Sequence, residues 1–155
     1  MRRNIFFIVL LAALMFQCTS SSVIFNKDFS FKDQKWNRFQ KLEIETLVDA
    51  SDKEYDINFV LKYSSHIQYN VFPIHVIFQT PAGEERIREV ELAIRNINDE
   101  LIGEKQGDIV VLKKSLWKHF SFPEQGKINI TIENILPKIE AENVISAGIE
   151  IVTSE

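Results

Sequence analysis

The stretch "YDINFVLKY" alternates strictly, with Tyr55, Ile57, Phe59, Leu61 and Tyr63 set against Asp56, Asn58 and Lys62. Only an extended strand buried on one face puts such a pattern to use, because successive side chains point to opposite sides. "KINITIEN" repeats it, with Ile128, Ile130 and Ile132 on one face and Lys127, Asn129, Thr131 and Glu133 on the other. "EVELAI" groups Val90, Leu92 and Ile94, and "KLEIETL" groups Leu42, Ile44 and, less cleanly, Thr46. "FPIHVIFQT" is more continuously apolar, and its Pro73 predicts an edge strand or a bulge, since proline gives no donor to a ladder. "DIVVLKK" and "NVISAGIEIV" complete the set of predicted strands. Turn signals separate them: "TPAGEE" from Thr80, "GEKQGD" from Gly103 and "FPEQGK" from Phe122. Short strands spaced this way predict an all-β fold, an antiparallel β-sandwich or jelly roll in one domain, rather than a parallel α/β sheet. Ile57, Phe59, Leu61, Ile128, Ile130 and Ile132 are expected in one core between two sheets. Only "EAENVISA" reads as a helical turn.

The N-terminus follows a different logic. Arg2 and Arg3 precede an apolar run from Ile5 to Phe16. That run falls short of the ~20 residues a bilayer-spanning helix needs, and it fits the ~7–15-residue apolar region of a secretory signal. It has no polar face, which argues against an amphipathic surface helix. The sole cysteine, Cys18, directly follows it, in a pattern similar to a bacterial lipobox, with Leu14 and Met15 on the apolar side and Gln17 where a small residue is usual. A single cysteine excludes an intramolecular disulfide and is expected to be the acylated attachment point. Each buried methylene contributes ~0.8 kcal/mol, so two or three acyl chains anchor the protein durably. The expected division is therefore a lipoprotein signal peptide over 1–17, the lipidated cysteine and a tether over 18–35, and a β-sandwich domain over 36–155. From Thr19 to Asn26 an extended tether reaches at most ~25–30 Å. No acidic pair follows Cys18, and in Bacteroidetes lipoproteins such a pair resembles a surface-export signal. The expected orientation is thus toward the periplasm.

Charge and chemistry narrow the function. The 155 residues carry 18 Lys+Arg against 22 Asp+Glu, a formal charge of −4, and the signal segment takes two of the arginines. An acidic domain without a basic block argues against nucleic-acid binding and gains nothing from anionic lipid. His66, His75 and His119 share no metal-ligand spacing, and His75 reads as a hydrogen-bonded imidazole in a strand. The acidic groups around Asp49, Asp52, Glu54 and Asp56, and around Asn96, Asn98, Asp99 and Glu100, lack the spacing of a calcium loop and read as solvated turns. No Gly-x-Ser-x-Gly or phosphate-loop motif occurs. "NIT" at Asn129 to Thr131 reads as the solvent face of a strand. Trp36 and Trp117 are expected in the core, with a sugar-stacking platform as the alternative. No enzyme, cofactor or metal is expected.

Several segments together resemble the gliding-motility lipoprotein GldH family of Bacteroidetes. "YNVFPIHVIFQTPAG" carries Tyr69, Pro81 and Gly83 at the family's intervals, and "LIGEKQGDI" carries Ile102, Gly103, Gly107, Asp108 and Ile109. "FPEQGKINITIE" carries Phe122, Pro123 and Gly126, and "ENVISAGIEI" carries Gly148. With Cys18 and Trp36, the likeness covers nearly all of the mature chain. Leu101 stands where the family usually has tryptophan and Asp99 where it often has glycine. Val71 and Phe72 replace an Asn-Leu pair, and no Met-Arg pair follows "KINITIEN", so the chain resembles a divergent member. The resemblance implies a non-enzymatic, outer-membrane-anchored lipoprotein working with the gliding and type IX secretion machinery. The partners so implied are the membrane, through the lipid, and other envelope proteins; glycan capture on the same sandwich is the alternative. The best-matched loop, with Leu101, Ile102, Gly103, Gly107 and Asp108, has two readings. In one it is a structural turn in which Asp108 accepts backbone N–H bonds, and in the other it is the edge of a partner-docking site.

Overall fold

The computed structural model describes residues 22–49, 53–122 and 124–154, and these form an antiparallel β-sandwich with no α-helix among the described residues. One sheet has the order β1 (Val23–Ser30), β11 (Val144–Thr153), β4 (Glu54–Ser64), β8 (Ile109–Ser121), β7 (Glu104–Gln106). The other runs β3 (Leu42–Val48), β9 (Gly126–Asn134), β5 (Val71–Gln79), β6 (Glu85–Ala93). A two-stranded ribbon of β2 (Lys35–Asn37) and β10 (Glu140–Glu142) is attached at one end.

The alternating segments behave as their period requires. Ile57, Phe59 and Leu61 of β4 and Ile128, Ile130 and Ile132 of β9 are all buried in one core, each from its own sheet. On β11, Ile151, Ile149 and Ala147 stand directly across from Ile57, Phe59 and Leu61. Both tryptophans are buried as well. Trp36 stacks between Phe31 and Phe72, at ring distances of 5.0 and 5.8 Å, and donates its indole N–H to the Gln40 carbonyl. Trp117 packs on Phe78 at 5.2 Å.

Four expectations need correction. Residues 23–30, read as tether, form β1, paired with β11 from Val23↔Val152 to Ser30↔Ser146, so the folded domain begins before Trp36. The inward face of β1 reads Phe25, Lys27, Phe29, and the lysine in its middle hides the period. β8 extends seven residues past "DIVVLKK", because bulges opposite Tyr55–Asn58 bury Leu116 and Trp117 consecutively and break the alternation. "EAENVISA" is not helical: β10 and β11 meet at Asn143, which takes φ 63°. Finally, β5 is an inner strand despite Pro73. The Pro73 carbonyl accepts from Ile135 N at 3.2 Å, so its nitrogen also faces the β9 side. The ladder with β9 has its last pair at Ile74↔Asn134, so the donor that Pro73 lacks falls one residue past the end of that ladder.

The two ends of the sandwich differ. At the first, Ser22 N donates to Thr153 Oγ1 at 3.0 Å, beside Glu54, Ser121 and the Thr80–Glu84 turn. At the second gather the β4–β5, β6–β7, β7–β8 and β10–β11 connections and the ribbon. Eleven residues of β4 separate them, about 35 Å at ~3.3 Å per residue.

Candidate docking surfaces

The predicted loop lies at the second end, and backbone bonds hold it there. Ile102 N donates to Ile94 O at 2.9 Å, and the Ile102 carbonyl accepts the Tyr63 hydroxyl at 2.5 Å. Leu101 forms a bridge with Arg95, and both Leu101 and Ile102 pack partly buried against the core. Burial raises the Tyr63 phenol pKa, which keeps it a donor.

The two glycines serve different needs. At Gly103 a Cβ would stand 2.6 Å from the Val111 carbonyl oxygen, so the neighbouring backbone excludes any side chain. At Gly107 there is open space, and the requirement is φ +65°. With Asp108 it makes the two-residue connection between Gln106 and Ile109, and glycine in its first position suits a type II′ turn. Among the described residues the exposed Asp108 side chain accepts no backbone N–H bond; its carbonyl instead accepts Ser65 N at 2.8 Å. The loop is therefore tied to the β4–β5 turn through backbone rather than carboxylate.

Beside it stands a tip that sequence reading treated only as a solvated acidic turn. Asn96 Oδ1 accepts the N–H groups of Asn98 and Glu100, both at 2.9 Å, and Asn96 Nδ2 donates to Glu100 Oε2 at 2.8 Å. Arg95 clamps the base, donating to the Asp99 carbonyl at 2.9 Å and to Ile67 O at 3.0 Å. This ordered turn lifts Ile97 to 100% exposure. Phe39 and Ile139, also exposed, lie on the ribbon at the same end, where Arg38 N meets Ile139 O. In sequence, an isolated isoleucine inside "NINDE" carried no signal of its own.

The outer face of the four-stranded sheet is acidic. Glu43 and Glu45 of β3, Glu133 of β9 and Glu85, Glu89 and Glu91 of β6 point outward, against Lys41 and Lys127, with Ile77 and Ile87 paired between them. Lys41 bonds Glu133 at 2.6 Å and holds that carboxyl below its ordinary pKa. A shallow depression of about 460 Å³ runs between Glu43, Glu45, Gln79, Asn129 and Thr131. Among the described residues no aromatic ring lines it.

The histidines are dispersed. His75 lies on that outer face, 3.6 Å from Glu133, rather than among apolar groups. His119, at φ 50°, meets Glu54 at 2.8 Å and donates its N–H to Asp56. Asp52 lies outside the described residues. Among the described residues no group of His, Cys, Asp and Glu could hold a metal ion. Ser64 Oγ and His66 Nδ1 come within 3.1 Å, an arrangement with the outline of a nucleophile and base. The same Ser64 oxygen accepts His66 N at 3.3 Å, so the contact closes a turn, and no carboxylate orients the ring among the described residues.

The fold and its surfaces thus define a β-sandwich that offers edges, an apolar tip and a charged face. The profile of the GldH lipoprotein family matches residues 23–151, and the chain belongs to that family. The family is one of cell-envelope lipoproteins associated with gliding motility. Cys18 precedes the matched stretch and lies outside the described residues. Among curated proteins no relative matches the chain. Among solved structures, the VP2 subviral particle of infectious bursal disease virus is similar, with a TM-score of 0.35 and 11% identity over 86% of this chain. The match spans 34% of that protein's chain, and no inference rests on so distant a likeness.

Proposed function

We propose that this protein is an outer-membrane lipoprotein, acylated at Cys18, whose sandwich is a non-enzymatic docking or assembly component of the gliding and type IX secretion-associated machinery. One observation carries the reading: Ser22, the first described residue, is bonded to Thr153 at the end opposite the 101–108 loop and the Ile97 tip. Three residues lie between Cys18 and Ser22, so the two are at most about 15 Å apart along the chain. An anchor there holds one end at the membrane and directs the loop cluster into the periplasm. The partner on this reading is another envelope protein, met by Ile97, Leu101, Ile102 and the Gly107–Asp108 turn. The glycan alternative loses its support, because both tryptophans are buried.

Photo-crosslinkers at Ile97 and at Glu84, at opposite ends, test the reading in native membranes. Defined envelope proteins should be captured from Ile97 and not from Glu84. Equal capture at both positions, or none from Ile97, would overturn it. Mass spectrometry of membrane-extracted protein tests the anchor, and an unmodified Cys18 thiol would refute it.

A further inference from the structure

Proteins guard their free sheet edges against pairing, and three edges of this sandwich are visibly guarded. β6 turns Arg86 and Arg88 inward, over the rings of Phe120 and Trp117 at 5.0 Å each. β1 turns Lys27 inward and has an irregular register at Val23/Phe25. The β8 edge is covered in part by the short β7 and bends through bulges toward His119.

β3 has no inward charge, bulge or hydrogen-bonded covering strand; its charges, Glu43 and Glu45, point outward, and β1 of the other sheet comes near it without pairing. β3 ends its sheet, contains neither proline nor glycine, and pairs with β9 without interruption from Leu42↔Ile132 to Val48↔Gly126. Its inward side chains, Leu42, Ile44, Thr46 and Val48, are uncharged. Alternate residues of an edge strand direct both N–H and C=O away from its neighbour. Among the described residues no backbone bond outside the β9 ladder takes those groups. We propose that β3 receives an extended segment of a partner protein as an added fifth strand, with basic side chains along that segment's solvent-facing row.

Charge selects the occupant. The outward row of β3 reads Glu43, Glu45, Leu47, and the depression beside it is lined by the same two glutamates. Lys127 meets Glu45 at 2.7 Å, while Glu43 makes no ion pair among the described residues and acts on Lys41 only through its field. A strand laid along β3 places its outward side chains directly opposite these residues, where opposite charges stabilise and like charges repel. A second copy of the chain, pairing antiparallel about the middle of β3, would set Glu45 against Glu45. Lysine or arginine in an alternating segment fits instead. This is edge addition, with the backbone supplying affinity and the alternate side chains supplying selectivity. It depends on neither the Cys18 anchor nor the 101–108 loop.

The test uses the full-length protein purified in detergent and a heptapeptide alternating lysine with valine, acetylated and amidated at its ends. A second peptide has glutamate for each lysine. By fluorescence anisotropy at low salt, the lysine peptide should bind about tenfold or more tightly than the glutamate peptide, and E43K/E45K should reverse the preference. Binding should also slow amide exchange at alternate residues of 42–48. Retained preference in E43K/E45K, absence of lysine-peptide binding, or charge-dependent binding without slowed exchange in β3 would each overturn the proposal. So would a wild-type dimer, seen by sedimentation, that E43K/E45K abolishes. Because the two sites lie on different elements, crosslinks from Ile97 can fail while this binding stands, and the reverse.

Discussion

Gly148 shows how a single residue depends on its surroundings. A Cβ built there stands 1.9 Å from the Lys27 carbonyl oxygen, because the β1 backbone crosses close over this point of β11. Gly148→Ala should therefore displace β1 and cost more than ~2 kcal/mol, read as a lowered melting temperature with faster amide exchange over Val23–Ser30. Gly107→Ala meets only the penalty of a left-handed backbone, ~1–2 kcal/mol. At Phe59, buried completely, substitution by alanine removes a large core side chain, and denaturant titration should show a loss of ~3–5 kcal/mol. Asp108→Ala removes an exposed carboxylate without a bond, so its stability should stay within ~0.5 kcal/mol of the parent.

Among the elements, β6 adds the contacts of its inward arginines to its ladder with β5. Its only fully buried side chain is Leu92, while Arg86 and Arg88 roof the core with their stems and cover two aromatic rings. Arg88 also donates to the Leu116 carbonyl, tying the two sheets together along this side. The double change Arg86→Ala, Arg88→Ala bares both rings and removes the inward charges from an edge strand. Light scattering on heating should show concentration-dependent aggregation below the parent's transition, with far-UV circular dichroism unchanged at 25 °C. The strands that alternate cleanly, β4 and β9, were legible in sequence. β1 and the far half of β8 were not, because an inward lysine and a bulge erase the local period while the sheets keep the strand in place.

For the whole molecule, acid sensitivity follows from where the carboxylates sit. The Ser154 hydroxyl at 2.6 Å and the His119 N–H at 3.0 Å hold Asp56 below its ordinary pKa, and Lys41 does the same to Glu133. A depressed folded-state pKa means the unfolded chain binds the proton first. The stabilisation is thus complete above the unfolded value of ~4 and lost as the pH falls through the lower folded one. Stability should be level from neutral pH to about pH 5 and then decline. Asp56→Asn should be less stable at pH 7 and show a shallower decline, as measured by thermal melts across the range. Asp56 joins β4, β8 and the C-terminal end of β11, so its protonation loosens the end at which the chain enters the fold.

Features that depend on neighbours along the chain can be read from the order of residues alone. Alternation set the strand faces and the core, glycine and proline set the turns, and the order of charge, apolar run and cysteine carries the expectation of an export signal. The order of residues also carried the family likeness, since the matched turns have few permissible residues. Strand order, the opposition between the Ser22 end and the loop cluster, the need for glycine at 148, the fixed Ile97 tip and the unguarded β3 edge were decided only in the tertiary structure. Each depends on pairing between segments far apart in sequence, and a period of two says which way a side chain points but not which strand lies beside it.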